Sequence, residues 1–64
     1  MKRSWIKLSN GTRVRAELVA AVNAHQETLR IFLKSETGET LCAVQHEDED
    51  AFKLELEDIN KQLD

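Results

Sequence analysis

Proline is absent from this 64-residue chain and glycine occurs only twice, so Gly11 and Gly38 carry most of its turn punctuation. Each follows a polar pair and separates two runs of alternating character. Ile6-Lys7-Leu8 precedes Ser9-Asn10-Gly11, and the run from Leu29 to Leu33 precedes Glu36-Thr37-Gly38. Both read as hairpin loops.

Parity fixes how such hairpins close, because residues facing each other across an antiparallel pair point to the same side of the sheet. A two-residue Asn10-Gly11 turn would set Leu8 against Arg13 and Ile6 against Arg15, mixing apolar and charged positions. A three-residue loop with Gly11 left-handed instead sets Ile6 against Val14 and Leu8 against Thr12. The same loop at Glu36-Thr37-Gly38 places Leu33 opposite Leu41 and Ile31 opposite Ala43. Between them, a four-residue loop from Ala24 to Glu27 aligns Val22 with Leu29, Ala20 with Ile31 and Leu18 with Leu33. One face is then consistently apolar: Ile6, Leu8, Val14, Ala16, Leu18, Ala20, Val22, Leu29, Ile31, Leu33, Leu41 and Ala43.

After Asp50 the pattern changes. Phe52, Leu56, Ile59 and Leu63 follow i, i+4, i+7, i+11 spacing in a segment rich in Leu, Glu and Lys, which predicts an amphipathic helix over the apolar face. Glu47, Asp48, Glu49 and Asp50 fall at its N-terminal end, where acids are favoured. Leu54 falls on the wrong side of that helix. The fold expected is α+β and mainly β: a four-stranded antiparallel meander with a C-terminal amphipathic helix, in one domain spanning residues 1–64.

Two alternatives stand beside it. Alternation from Phe52 to Glu57 also fits a fifth strand, and five short strands with a short C-terminal helical turn would resemble a small SH3-like barrel in pattern length. Leu18, Val22, His25, Leu29 and Phe32 also keep a 4-3-4-3 spacing, so Thr12 to Lys34 has a partly helical reading.

Charge is divided along the chain. Residues 1–34 hold seven cations and two acids, a balance of +5, whereas the remainder holds two cations and ten acids, −8, which together give the net −3. Division of this kind speaks of partners more than of fold. Cys42 is the sole cysteine, which excludes an internal disulfide and fits a reducing, cytoplasmic location. No apolar stretch follows the basic start, and the longest, Leu18 to Val22, is too short to cross a bilayer, so neither export nor a membrane partner is expected.

On the expected sheet, the face opposite the core carries Arg3, Trp5, Lys7, Arg13, Arg15, Arg30 and Lys34 together with Val19, Ala21, Phe32, Cys42, Val44 and His46. Trp5 opposite Arg15 suits a cation–π contact, and Lys7 opposite Arg13 a repulsive pair that an anion would relieve. The candidate partner-binding residues are therefore Arg3, Trp5, Lys7, Arg13, Arg15, Arg30, Phe32 and Lys34. The function expected is that of a non-enzymatic protein-interaction module, or a small regulatory or inhibitory protein, holding an acidic partner surface. The alternative is single-stranded nucleic acid, RNA or DNA, with phosphates on the cations and a base stacked on Trp5 or Phe32. A homodimer is also expected, the acidic end of one chain docking on the basic face of another.

Other residue types lead to no catalytic, cofactor or metal site. Cys42 and His46 lie four apart on an extended segment, roughly 13 Å, too far to share one zinc ion. The acidic run at 47–50 lacks the glycine and final glutamate of an EF-hand loop. Glycine-rich phosphate loops and serine nucleophile elbows do not occur.

Overall fold

The computed structural model describes residues 4–64. Five strands and a helix follow in order: β1 (Trp5–Lys7), β2 (Arg13–Arg15), β3 (Ala21–His25), β4 (Arg30–Lys34), β5 (Thr40–Gln45) and α1 (Glu49–Leu63), with a 3₁₀ turn at Ala16–Leu18. β1 and β2 form one antiparallel sheet and β3, β4 and β5, in that order, a second. The fold is mainly β with one C-terminal helix. It is neither a four-stranded meander nor a closed barrel.

The expected second strand divides into β2 and β3 at Ala16-Glu17-Leu18. Ala and Glu are poor strand formers and, with Leu, good helix formers. The Ala16 N–H first closes the β1–β2 ladder on the Ser4 carbonyl (3.0 Å), and the Val19 N–H then donates back to the Ala16 carbonyl (3.1 Å). Of the helical reading of residues 12–34, this single turn is what forms. Leu18, expected in the core, is consequently 51% exposed, and Ala20 is exposed too.

Both glycine loops form as three-residue loops. Gly11 and Gly38 sit at φ 90° and 89°, in the left-handed region that glycine enters without steric cost. Leu8 N–H donates to Thr12 O and Ser35 N–H to Glu39 O, each at 2.8 Å, and each glycine N–H donates back across its loop at 3.0 Å. Ile6 faces Val14 as the parity argument requires. The connection between β3 and β4 keeps its expected four-residue length but runs from Gln26 to Leu29, two residues later, so Val22 faces Leu33 and Ala24 faces Ile31. It ends on Leu29 at φ 55°. That conformation costs a branched side chain about 1–2 kcal/mol and is held by Leu29 packing against the core and by its carbonyl accepting from His46 N–H at 3.0 Å.

A register irregularity between Leu33 and Lys34 corrects the other hairpin. Lys34 faces Thr40, but Leu33 faces Cys42 and Ile31 faces Val44. The extra residue is Leu41, and beyond it every β5 side chain changes sides. Val44 is therefore buried and Ala43 exposed, the reverse of the expectation, and the larger side chain is the one removed from water.

Ile6, Leu8, Val14 and Ala16 from the first sheet, Ile31, Leu33 and Val44 from the second, and Phe52 and Ile59 from α1 make one core. Leu56 and Leu63 pack against it, and Leu54 is 66% exposed, as the helical spacing requires. The fifth-strand reading of residues 52–57 does not hold. Asp48 caps the helix, its carboxylate accepting from Ala51 N–H at 3.2 Å, with Glu49 and Asp50 in the first turn. Among the described residues no helix is long and apolar enough to cross a membrane.

Candidate functional site

Hydrogen bonds at Leu8–Thr12 and Ser4–Ala16 make the even-numbered residues of β1 the hydrogen-bonded positions of its ladder. The pairs between them, Trp5–Arg15 and Lys7–Arg13, are non-hydrogen-bonded pairs, where facing side chains approach most closely. The outcome for Trp5 is specific. Its indole, 46% exposed, lies under two guanidinium groups, with Arg15 Cζ 5.2 Å and Arg13 Cζ 5.8 Å from the ring centroid. Alternation along a three-residue strand pair thus gathers one large aromatic and three cations on its exposed side, while Ile6 and Val14 point into the core.

One acid answers this cluster. Glu17, held just beyond β2 by the 3₁₀ turn, accepts from Arg15 Nη1 at 3.0 Å. Lys7 and Arg13 face each other, and among the described residues neither makes an ion pair to a carboxylate. Both are solvent-exposed, so their repulsion is softened by water. An anion placed over them would remove it and gain from both.

The remaining expected site residues are elsewhere. Arg30, Phe32 and Lys34 lie on β4, the central strand of the second sheet, on the side away from Ile31 and Leu33. There Phe32 faces Asn23 on one side and Ala43 on the other, and the His25 ring packs on it in a T-shaped arrangement, centroids 5.3 Å apart at 87°. Arg3 lies outside the described residues. The candidate surface is therefore two groups on two sheets: Trp5, Lys7, Arg13 and Arg15, and Arg30, Phe32 and Lys34. Of the other side chains expected on that face, Cys42 and Val44 turn to the core side, and Val19 packs against the core.

A second cluster joins the ends of the chain. Glu55, only 5% exposed, accepts through Oε1 from the Ser9 N–H (3.3 Å) and from the Ser9 hydroxyl, and meets His46 Nε2 at 3.0 Å. Serine, histidine and glutamate are all present, yet the carboxylate stands in the middle. A hydrolytic triad needs the imidazole between the other two, where it can take the serine proton. Here Ser9 and His46 compete for one oxygen, and the arrangement ties the first loop and the β5–α1 connection to the helix.

Gln62 makes a similar tie. Its Oε1 accepts from Lys7 N–H at 2.9 Å and its Nε2 donates to Lys7 O at 3.0 Å and to Asp58 Oδ2 at 2.8 Å, so a side-chain amide occupies the edge of β1 as a neighbouring strand would. Helical spacing carried a signal for both residues: Glu55 and Gln62 each stand three positions after a core residue, Phe52 and Ile59, on the inward side of α1. Among the described residues no group of three or more His, Cys, Asp or Glu side chains is arranged to hold a metal ion. Comparison with protein-family models, curated proteins and solved structures finds no match.

Proposed function

We propose that this protein is a non-enzymatic interaction module, of the kind that serves as a small regulator or inhibitor, and that Trp5, Lys7, Arg13 and Arg15 hold an acidic surface on a protein partner in the cytoplasm. The observation that carries the reading is the exposed indole beneath the guanidinium groups of Arg13 and Arg15, the first of which also faces Lys7. Trp and Arg are the residue types that most often dominate interface energetics. A flat, rigid aromatic anchor loses little conformational entropy on binding, and the guanidinium forks match carboxylates in bidentate fashion. The surrounding fold supplies rigidity, since Ile6 and Val14 anchor this strand pair from beneath.

The second reading, single-stranded nucleic acid, is favoured by Phe32. It stands between Arg30 and Lys34 on an outer sheet face, with Asn23 and Ala43 across from it and the His25 ring T-shaped against it, an aromatic pair suited to a stacked base with flanking phosphates. Fluorescence anisotropy separates the two. A labelled Asp/Glu-rich peptide and a labelled single-stranded oligonucleotide are each titrated with the protein at low and at physiological salt. The module reading predicts binding of the peptide that Arg13→Glu/Arg15→Glu removes. Oligonucleotide binding that falls steeply with salt and is lost in Phe32→Ala, with no peptide binding, replaces it with the nucleic-acid reading.

A further inference from the structure

Unpaired strand edges invite other strands, and proteins cover or charge them. Among the described residues, three of the four outer edges carry a cover or a charge. Gln62 occupies that of β1. Asn10 Nδ2 donates to the Ala43 carbonyl of β5 at 3.2 Å. β2 is three residues long and two of them are arginine.

β3, as uncharged as β5 (Thr40–Gln45), differs in that no side chain among the described residues hydrogen-bonds to its outer edge. Ala21-Val22-Asn23-Ala24-His25 is five residues long, bears no Asp, Glu, Lys or Arg, and is exposed at every position except half-buried Val22. Its pairing with β4 leaves a defined set of backbone groups outward. The His46 N–H to Leu29 O bond makes the odd residues of β4 those that bond to β5, so its even residues bond to β3, through Ala21, Asn23 and His25. By alternation the N–H and C=O groups of Val22 and Ala24 point away from the sheet.

We infer that β3 is a homodimerisation edge, pairing antiparallel with β3 of a second copy about a twofold axis at Asn23. In that register Val22 of each chain faces Ala24 of the other, and their outward groups make four backbone hydrogen bonds. A second copy is the occupant because the set is self-complementary, as an isologous contact requires, and because a strand without charged side chains meets itself without repulsion. The two sheets join into one of six strands, with both Phe32 faces on the same side. This contact is distinct from the Trp5 face and does not depend on it.

Asn23 provides the test. Facing residues at a non-hydrogen-bonded position have Cα atoms about 4.5 Å apart, within disulfide reach. Light scattering of the wild type is expected to give twice the chain mass of 7.3 kDa, and Asn23→Lys, which sets two ammonium groups against each other, to return it to one chain mass with unchanged far-UV circular dichroism. Asn23→Cys is expected to crosslink into a reducible dimer on mild oxidation, far more completely than Thr37→Cys in the distant loop. A wild type that stays monomeric at every soluble concentration overturns the inference, as does a dimer that survives Asn23→Lys in a folded chain. Should Asn23→Lys fail to fold, the crosslink decides: its absence at position 23 overturns the pairing.

Discussion

Glu55 shows how one buried carboxylate can join distant parts of a small chain. It sits on α1 yet satisfies both the backbone and the hydroxyl of Ser9, 46 residues earlier, and the imidazole of His46. Glu55→Ala would take the shared acceptor from exposed Ser9 and half-buried His46, a loss of about 0.5–1.5 kcal/mol for each hydrogen bond removed. Urea unfolding of this variant should show a lower midpoint at unchanged slope, whereas a midpoint equal to the wild type would contradict the tie. Cys42 makes a different prediction. Burial pushes its thiol above the ordinary value of 9.0, because the thiolate is poorly solvated on the core side of β5. The folded chain therefore holds this proton more tightly than the unfolded one. The thiol's contribution to stability is complete below the unfolded value and is lost as pH rises through the folded value. Alkylation by iodoacetamide at pH 8 should be slow in the native protein and accelerate in urea; equal rates would show a freely ionising thiol.

The elements differ in how far the sequence alone specifies them. The helix was legible because Phe52, Leu56, Ile59 and Leu63 keep its period and the acidic run at 47–50 marks its start, although Leu54 alternates as a strand would and stands on the outer side of the helix. Both three-residue loops were legible because only a left-handed glycine keeps Ile6 opposite Val14. The bulge at Leu41 was not, because inserting one residue is decided by whether Val44 or Ala43 fills the core, a packing choice between sheets that alternation within one strand does not encode. The 3₁₀ turn was missed for a related reason: Ala16, Leu18 and Ala20 keep a strand's parity although Ala-Glu-Leu has a helix former's composition. Gln62, covering β1, was invisible as a site because its role lies in a contact 55 residues away in sequence. Gln62→Ala should uncover that edge, destabilise the chain by about 1–3 kcal/mol and raise its tendency to aggregate. Light scattering during thermal unfolding would register the change; a variant as soluble and stable as the wild type would show that the amide does not guard the strand.

For the whole molecule, the charge division seen in the sequence becomes a division of surfaces. Cations on β1 and β2 stand on the exposed side of a strand pair, and acids gather at the start of α1, where Lys53 answers Glu49 across one helical turn at 3.5 Å. Half of the candidate site was readable from parity: Trp5, Lys7, Arg13 and Arg15 share one face, in the register expected. The break after β2 carries Arg30, Phe32 and Lys34 onto a second sheet, so the surface is two patches with different chemistry. The Trp5 patch is the more direct to question, because Trp5 is the sole tryptophan and its emission reports from within the cluster. Titrating the wild type and Arg13→Glu/Arg15→Glu with an Asp/Glu-rich peptide, while following that emission, tests the central claim. A saturable change in the wild type that vanishes in the folded double variant is the result predicted; no change in the wild type, or the same change in both, would contradict it.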